Sequence, residues 1–194
     1  MAHPEKSFVS PEEYFETEEV AEYKSEYFHG EIFAMTGASF NHNVISSNLV
    51  VFLGNQLRNS CFVFSGDMKI QLDEDKHYAY PDLSVVCGEP EFAKERNDII
   101  TNPLVIMEIL SKSTRDYDRG SKFTAYRNIA SLKDYILVDQ YAYHVEYFHK
   151  EAHQKWIFEE FKDLSDTFRI SSLDMELSLN TIYHRVEMGD SGCW

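Results

Sequence analysis

Several things that would classify this chain quickly are missing from it. No apolar stretch approaches the roughly 20 residues that a bilayer-spanning helix needs. The polar run from Met1 to Lys6 is not followed by the hydrophobic segment of a secretory leader. A soluble, unprocessed, cytoplasmic protein is the expectation. The three cysteines, Cys61, Cys87 and Cys193, are odd in number and nowhere spaced as CxxC. That argues against a disulfide framework and against a zinc site, and it suits a reducing compartment. Repeats, low-complexity tracts and Pro/Gly/Ser-rich linkers are absent as well.

Positive charge is scarce: 18 Lys and Arg stand against 33 Asp and Glu, for a formal net charge of -15. Affinity for nucleic acid comes mostly from Lys and Arg neutralising phosphates, so such a body repels a polyanion at long range. Bound divalent cations, a local basic patch or a partner subunit would each offset the repulsion. In the plainer reading, acidity only keeps the protein soluble. The aromatic residues, 14 Phe and 12 Tyr, are not interleaved with Lys/Arg clusters, so most are expected in the core.

What is present is material for a core. With 43% hydrophobic residues in 194, the chain suits one domain, expected over 1–188, with 189–194 as a disordered tail. Gly189-Asp190-Ser191-Gly192 spells a protease nucleophile signature, but no chain remains behind it to build a pocket. Ser10-Pro11-Glu12-Glu13 reads as a helix start with a capping box, and Glu26 to Met35 as a hairpin around His29-Gly30. From Asn41 to Arg58, Ile45, Leu49, Phe52, Leu53 and Leu57 recur at helical spacing. Three strand-like runs follow: Phe62 to Leu72, Tyr78 to Val86 and Leu104 to Leu110. A second helix is expected over Arg119 to Ile129, then a buried strand at Tyr135 to Val138, and further strands at His144 to His149 and Trp156 to Phe161. The core order of an α/β fold with a mixed sheet results: helix, three strands, helix, strand.

Four polar residues interrupt this apolar pattern. Glu108 sits in the middle of Leu104-Val105-Ile106-Met107-Glu108-Ile109-Leu110, where an unpaired carboxylate would cost several kcal/mol. A metal, a cation or a proton must compensate it, unless it forms an internal salt bridge or lies at an exposed strand end. Asp82 follows Pro81 at the start of a strand, as a ligand or as a cap. Lys122 lies on the stripe of Ala125, Tyr126 and Ile129, where it either snorkels outward or reaches the carboxylates. His42 shares a face with Ile45 and Leu49. Two acids on adjacent strands with a nearby lysine suit phosphodiester hydrolysis. The acids can hold Mg²⁺ through oxygen ligands, and the ammonium can orient water or stabilise developing charge.

Pro81-Asp82 followed by Glu108-Ile109-Leu110-Ser111 resembles the PD-(D/E)xK motif of the restriction-endonuclease-like superfamily. From about Pro11 to His149 the chain is more closely similar to the Uma-two family of endonucleases. The matching residues are Tyr27 to Glu31 with Met35, His42, Pro81-Asp82, Glu108 to Ser111 with Ser113-Thr114, Asp118 to Lys122, Tyr126, and Tyr135 to Asp139. The resemblance implies a restriction-endonuclease-like domain that cleaves nucleic acid, DNA in the first instance, with Mg²⁺ or Mn²⁺. Asp82 and Glu108 would be metal ligands, with the Ile109 carbonyl as a third. Glu31, His42, Asp67 and Tyr126 would be supporting residues. Where the motif expects lysine stands Leu110, so the resemblance implies a lysine moved to the next helix, Lys122. Lys112 and Lys69 compete for that role, the latter within Asp67-Met68-Lys69. Cutting two strands would suit a symmetric homodimer. The rival readings are a non-catalytic nucleic-acid or protein binding module of the same fold, and a metal-dependent hydrolase of small phosphoesters.

Overall fold

The computed structural model describes residues 8–188 apart from 36, 75 and 95, so the expectation for 189–194 lies outside the described residues. Helix α1 (Pro11–Val20) begins as its sequence dictates: the Ser10 side chain accepts from the Glu13 N–H, and the Glu13 carboxylate accepts from the Ser10 N–H. Strands β1 (Ser25–Phe28) and β2 (Glu31–Ala34) form the hairpin. Its turn places both His29 and Gly30 at positive φ, the conformation that two-residue hairpins favour. Helix α2 (Phe40–Leu57) is capped by Ser39 and buries Ile45, Leu49, Leu53 and Leu57, one residue per turn.

Next come β3 (Cys61–Ser65), β4 (Lys69–Asp73), β5 (His77–Ala79), β6 (Leu83–Cys87), β7 (Ile99–Ile100) and β8 (Val105–Leu110). The runs expected as single strands, Phe62 to Leu72 and Tyr78 to Val86, are thus each split in two. Gly66 and Pro81 stand at the breaks, since a proline cannot donate to a ladder and a tight turn interrupts one. Both corners hand the chain from one sheet to another. The halves β3 and β6 join a six-stranded sheet that begins β3-β6-β8 at one edge and continues into three later strands, whereas β4 and β5 join a five-stranded sheet of order β2-β1-β5-β4-β7.

The expected second helix is segmented: α3 (Arg115–Tyr117), a π-helical turn (Asp118–Lys122) and α4 (Phe123–Tyr126). It starts and ends a few residues earlier than the apolar stripe suggested. It leads to β9 (Asp134–Asp139), which pairs parallel to β8; β10 (Val145–Lys150) and β11 (Trp156–Phe161) extend that sheet antiparallel. The chain closes with β12 (Thr167–Ile170), β13 (Met175–Ser178) and α5 (Leu179–Ile182). Within the six-stranded sheet the expected order holds: α2, then β3, β6 and β8, then the segmented helix, then β9.

Alternation along β8 builds two cores. Val105, Met107 and Ile109 pack with α2, while Ile106 and Leu110 pack with Phe123, Tyr126 and Ile129 of the segmented helix region. Glu108 has the parity of the second set. The sequence therefore buries a carboxylate under the helix that carries Lys122.

The cysteine expectation is corrected. Cys61 and Cys87 form a disulfide, because the β3–β6 register sets them directly opposite each other across 26 residues of sequence. Spacing along the chain detects only local pairs, and this one is made by strand pairing. The cysteine argument for a reducing compartment falls with it. Among the described residues no helix is long and apolar enough to cross a membrane.

Candidate active site

The last residue pair between β6 and β8 is Leu83–Met107, so β8 runs three residues past its neighbour. Asp82, at the Pro81 corner, fills the gap. Its Oδ2 accepts from the Ile109 N–H at 2.7 Å, and its own N–H donates to Glu108 Oε2 at 3.2 Å. This reciprocal clasp pins both acids at the open end of a central strand. His42, from the first turn of α2, places Nε2 3.1 Å from Asp82 Oδ1.

Glu108 is nearly inaccessible, and its other oxygen meets two groups from the segmented helix. Tyr126 donates its hydroxyl to Oε1 at 3.0 Å, and Lys122 Nζ lies 3.0 Å from the same atom. Lys122 Nζ also lies 2.9 Å from Glu26 Oε1 and 3.8 Å from Asp118 Oδ1. The Tyr80 N–H donates to the same Glu26 oxygen at 3.2 Å. The π turn sets Asp118 and Lys122 at its two ends, both turned inward and buried. Such turns are frequent at functional sites.

The electrostatics follow from burial. Desolvation raises the Glu108 carboxyl well above its ordinary range, with Asp118, Asp82 and Glu26 adding to the effect and Lys122 opposing it. Burial alone would lower Lys122, but Glu108, Glu26 and Asp118 together outweigh it and hold the ammonium charged. Burial raises Asp118 too, against the pull of Lys122. Three carboxyl groups, Glu26, Glu108 and Asp118, thus lie against one ammonium, and Asp82 is clasped to Glu108 beside them. The site is crowded with carboxyl oxygens around a single ammonium, a donor set suited to a hard cation.

These groups line a cleft of about 1120 Å³ whose walls come from the hairpin, α2, the Gly66 and Pro81 corners, and the loops after β8 and β9. Of the expected residues, the cleft gathers Asp82, Glu108, Ile109, Lys122, His42 and Asp67, with Tyr126 behind Glu108. Asp67 stands at the mouth, 82% exposed, and pairs with Lys24. Glu31 does not line the cleft: it lies at the turn end of the hairpin opposite Phe28, and Glu26 of the same hairpin reaches the lysine instead. Reasoning from sequence missed Glu26, whose one signal was an acid inside a strand that buries its neighbours Ser25 and Tyr27. Lys69 belongs to the other sheet, where it pairs with Glu18 among Tyr14, Phe15 and Tyr80. Lys112 lines the rim of the cleft, exposed.

Among the described residues no three His, Cys, Asp or Glu side chains converge as a self-contained metal cage. The donors that do fit an ion are hard oxygens: the Asp82 and Glu108 carboxylates and the Ile109 carbonyl. A strand residue sends its N–H and C=O toward the same edge, and the Ile109 N–H faces Asp82. One or two carboxylates completed by water is the manner of Mg²⁺, and a closed cage is not required.

Two acids clasped at the open end of central strands, on a core of helix, three strands, helix and parallel strand, define the restriction-endonuclease-like class of fold. The chain belongs to the Uma2 family, described as "Putative restriction endonuclease", which matches residues 11–181. Two uncharacterized proteins of Synechocystis are similar to it. The protein slr1290 is 36% identical over 176 residues, covering 90% of this chain and 91% of its own. The protein sll1609 is 38% identical over 149 residues, covering 76% and 84%. A solved structure from Anabaena variabilis, titled a "putative nuclease belonging to DUF820", shares the fold with a TM-score of 0.70 at 19% identity, over 84% of this chain and 91% of that one.

Proposed function

We propose that this chain is a metal-dependent endonuclease that hydrolyses nucleic-acid phosphodiesters, DNA in the first instance, with Asp82, Glu108 and Lys122 as its catalytic residues. The observation that carries this reading is the contact of Lys122 with Glu108 at 3.0 Å, on the carboxylate whose other oxygen is clasped by Asp82. Leu110 stands where the motif expects lysine, and in this reading Lys122 of the following helix supplies the ammonium instead.

Asp82, Glu108 and the Ile109 carbonyl would hold Mg²⁺ or Mn²⁺. When bound, the ion supplies Lewis acidity toward a phosphoryl oxygen and activates water at neutral pH. The chain's own residues do the rest. Tyr126 and Lys122 orient one oxygen of Glu108, while the Ile109 N–H and His42 orient Asp82. Lys122, kept protonated by Glu108, Glu26 and Asp118, would stabilise charge developing on the scissile phosphate.

The test is titration of Mg²⁺ and Mn²⁺ into wild type and the Asp82→Asn/Glu108→Gln double variant, followed by incubation with supercoiled plasmid and single-stranded DNA. Binding and cleavage in wild type, both lost in the double variant, are expected. A folded wild type showing neither would overturn the proposal in favour of a non-catalytic binding module of the same fold. Cleavage of small phosphoesters with no action on DNA would move the reading to a small-substrate hydrolase.

A further inference from the structure

The cations of the cleft are unequally committed. Lys24 is held by Asp67, and Lys122 by Glu26 and Glu108. Lys112, at the rim, and Arg115, behind it against the Tyr141 ring, form no ion pair among the described residues, and the buried Arg115 Nε has no hydrogen-bond partner there. Both instead lie against one aromatic ring. Lys112 Nζ is 5.3 Å and the Arg115 guanidinium carbon 5.7 Å from the centre of Tyr141. Tyr141 lines the cleft and remains 44% exposed.

This rim is held in place before any ligand arrives. The Tyr141 N–H donates to Asp139 at 2.7 Å, and Gln140 donates to the Leu110 carbonyl at 2.9 Å, tying the loop after β9 to the end of β8. On the other loop, Ser111 bonds the Ser113 and Thr114 hydroxyls at 3.0 and 2.9 Å. Further aromatic surface comes from the hairpin, where Phe28 and Phe33 line the same cleft.

Building on the nuclease reading, we infer that the substrate is an unpaired nucleic-acid strand, with a base stacked on Tyr141 and the adjoining phosphates held by Lys112 and Arg115. A base presents its π-face to an aromatic ring only when it is out of the duplex, and stacking gives affinity that needs little positive charge. A duplex-binding surface neutralises many phosphates at once, whereas in this chain of net charge -15 the cations beside the cleft that form no ion pair among the described residues are Lys112 and Arg115, which lie against Tyr141 alone. Two phosphate contacts on a single strand predict a shallow salt dependence, a slope near -1.4 in log K against log salt.

The experiment is fluorescence anisotropy with a labelled 12-nucleotide strand and its duplex, in EDTA, from 50 to 200 mM salt. Wild type should bind the single strand more tightly, with that shallow slope. Tyr141→Ala should weaken binding about tenfold and Tyr141→Phe should not; Lys112→Ala/Arg115→Ala should flatten the slope toward zero. Thermal melts that match wild type confirm that the variants fold. Equal or tighter duplex binding, a slope steeper than about -4, or wild-type affinity in Tyr141→Ala would overturn the inference. Because binding is read without metal or turnover, the two readings separate. Mg²⁺-dependent plasmid cleavage unaffected by Tyr141→Ala sinks this inference alone, whereas absence of any metal-dependent cleavage sinks the nuclease reading.

Discussion

Lys122 shows how far one residue can be read in advance. Its place on an apolar stripe marked it as anomalous, and the structure shows its ammonium against three carboxylates. Removing it is therefore expected to change stability as well as the proposed chemistry. Lys122→Met leaves Glu108 and Glu26 buried without their cation, at a cost of about 3 kcal/mol or more, read as a lower urea midpoint. At a temperature where the variant is still folded, nicking should fall by at least about 100-fold. Lys112→Ala should instead raise KM and spare kcat. Full activity in Lys122→Met together with none in Lys112→Ala would assign the catalytic role to Lys112.

His77 gives a pH test at the same scale. Its ring is buried beside the Tyr117 hydroxyl, and desolvation pulls its pKa from 6.5 to about 4. Between those values the unfolded chain binds a proton that the folded chain does not, so stability falls as pH falls through this window. The contribution is fully present above pH 6.5. The stability difference between wild type and His77→Gln should therefore shrink from pH 7 to pH 4.5, by about 2 kcal/mol in urea titrations. A constant difference would show that the histidine takes up its proton as readily in the folded state as in the unfolded one.

At the scale of elements, sequence periodicity identified strands and helices but not the sheets they join. Phe62 to Leu72 and Tyr78 to Val86 each read as one β run, since aromatic and β-branched residues stand on both sides of each break. Gly66 and Pro81 were visible, but that the corners change sheets depends on what each half pairs with. The same pairing brings Cys61 opposite Cys87. Closing a loop of 26 residues restricts the unfolded chain, and Cys61→Ser/Cys87→Ser should lower stability by about 3 kcal/mol. Denaturant melts of wild type with and without reductant should show the same loss. An unchanged midpoint in both would mean that strand pairing alone holds the β3–β6 edge.

Over the whole molecule, the charge of -15 works against compaction and against polyanions alike. Screening should relieve the first effect. The thermal midpoint is expected to rise between 50 and 500 mM NaCl, because like charges separated by more than about a Debye length cease to repel. A falling midpoint would mean that attractive pairs such as Arg119–Glu146 and Lys162–Glu160 dominate the surface. Oligomeric state bears on substrate as well. Cutting both strands of a duplex calls for two sites and a symmetric pair of chains, whereas an unpaired strand needs one.

The sequence by itself determined which faces are buried, because side chains alternate every second residue in strands and recur every 3.6 in helices. It showed that Glu108 would lie inside, that Asp82 would sit at a strand's start, and that both would need compensation. Only the tertiary structure decided what compensates them. Apart from the local i,i+4 contact of Asp118 with Lys122, these groups meet across separate elements: Lys122 and Tyr126 of the segmented helix reach Glu108, and Lys122 reaches Glu26 of the hairpin, and no local period encodes such a meeting. Burial is a property of one element's pattern. The partner of a buried charge is a property of how the elements close on each other, which is why Glu31 could be mistaken for Glu26 while Glu108 could not be missed.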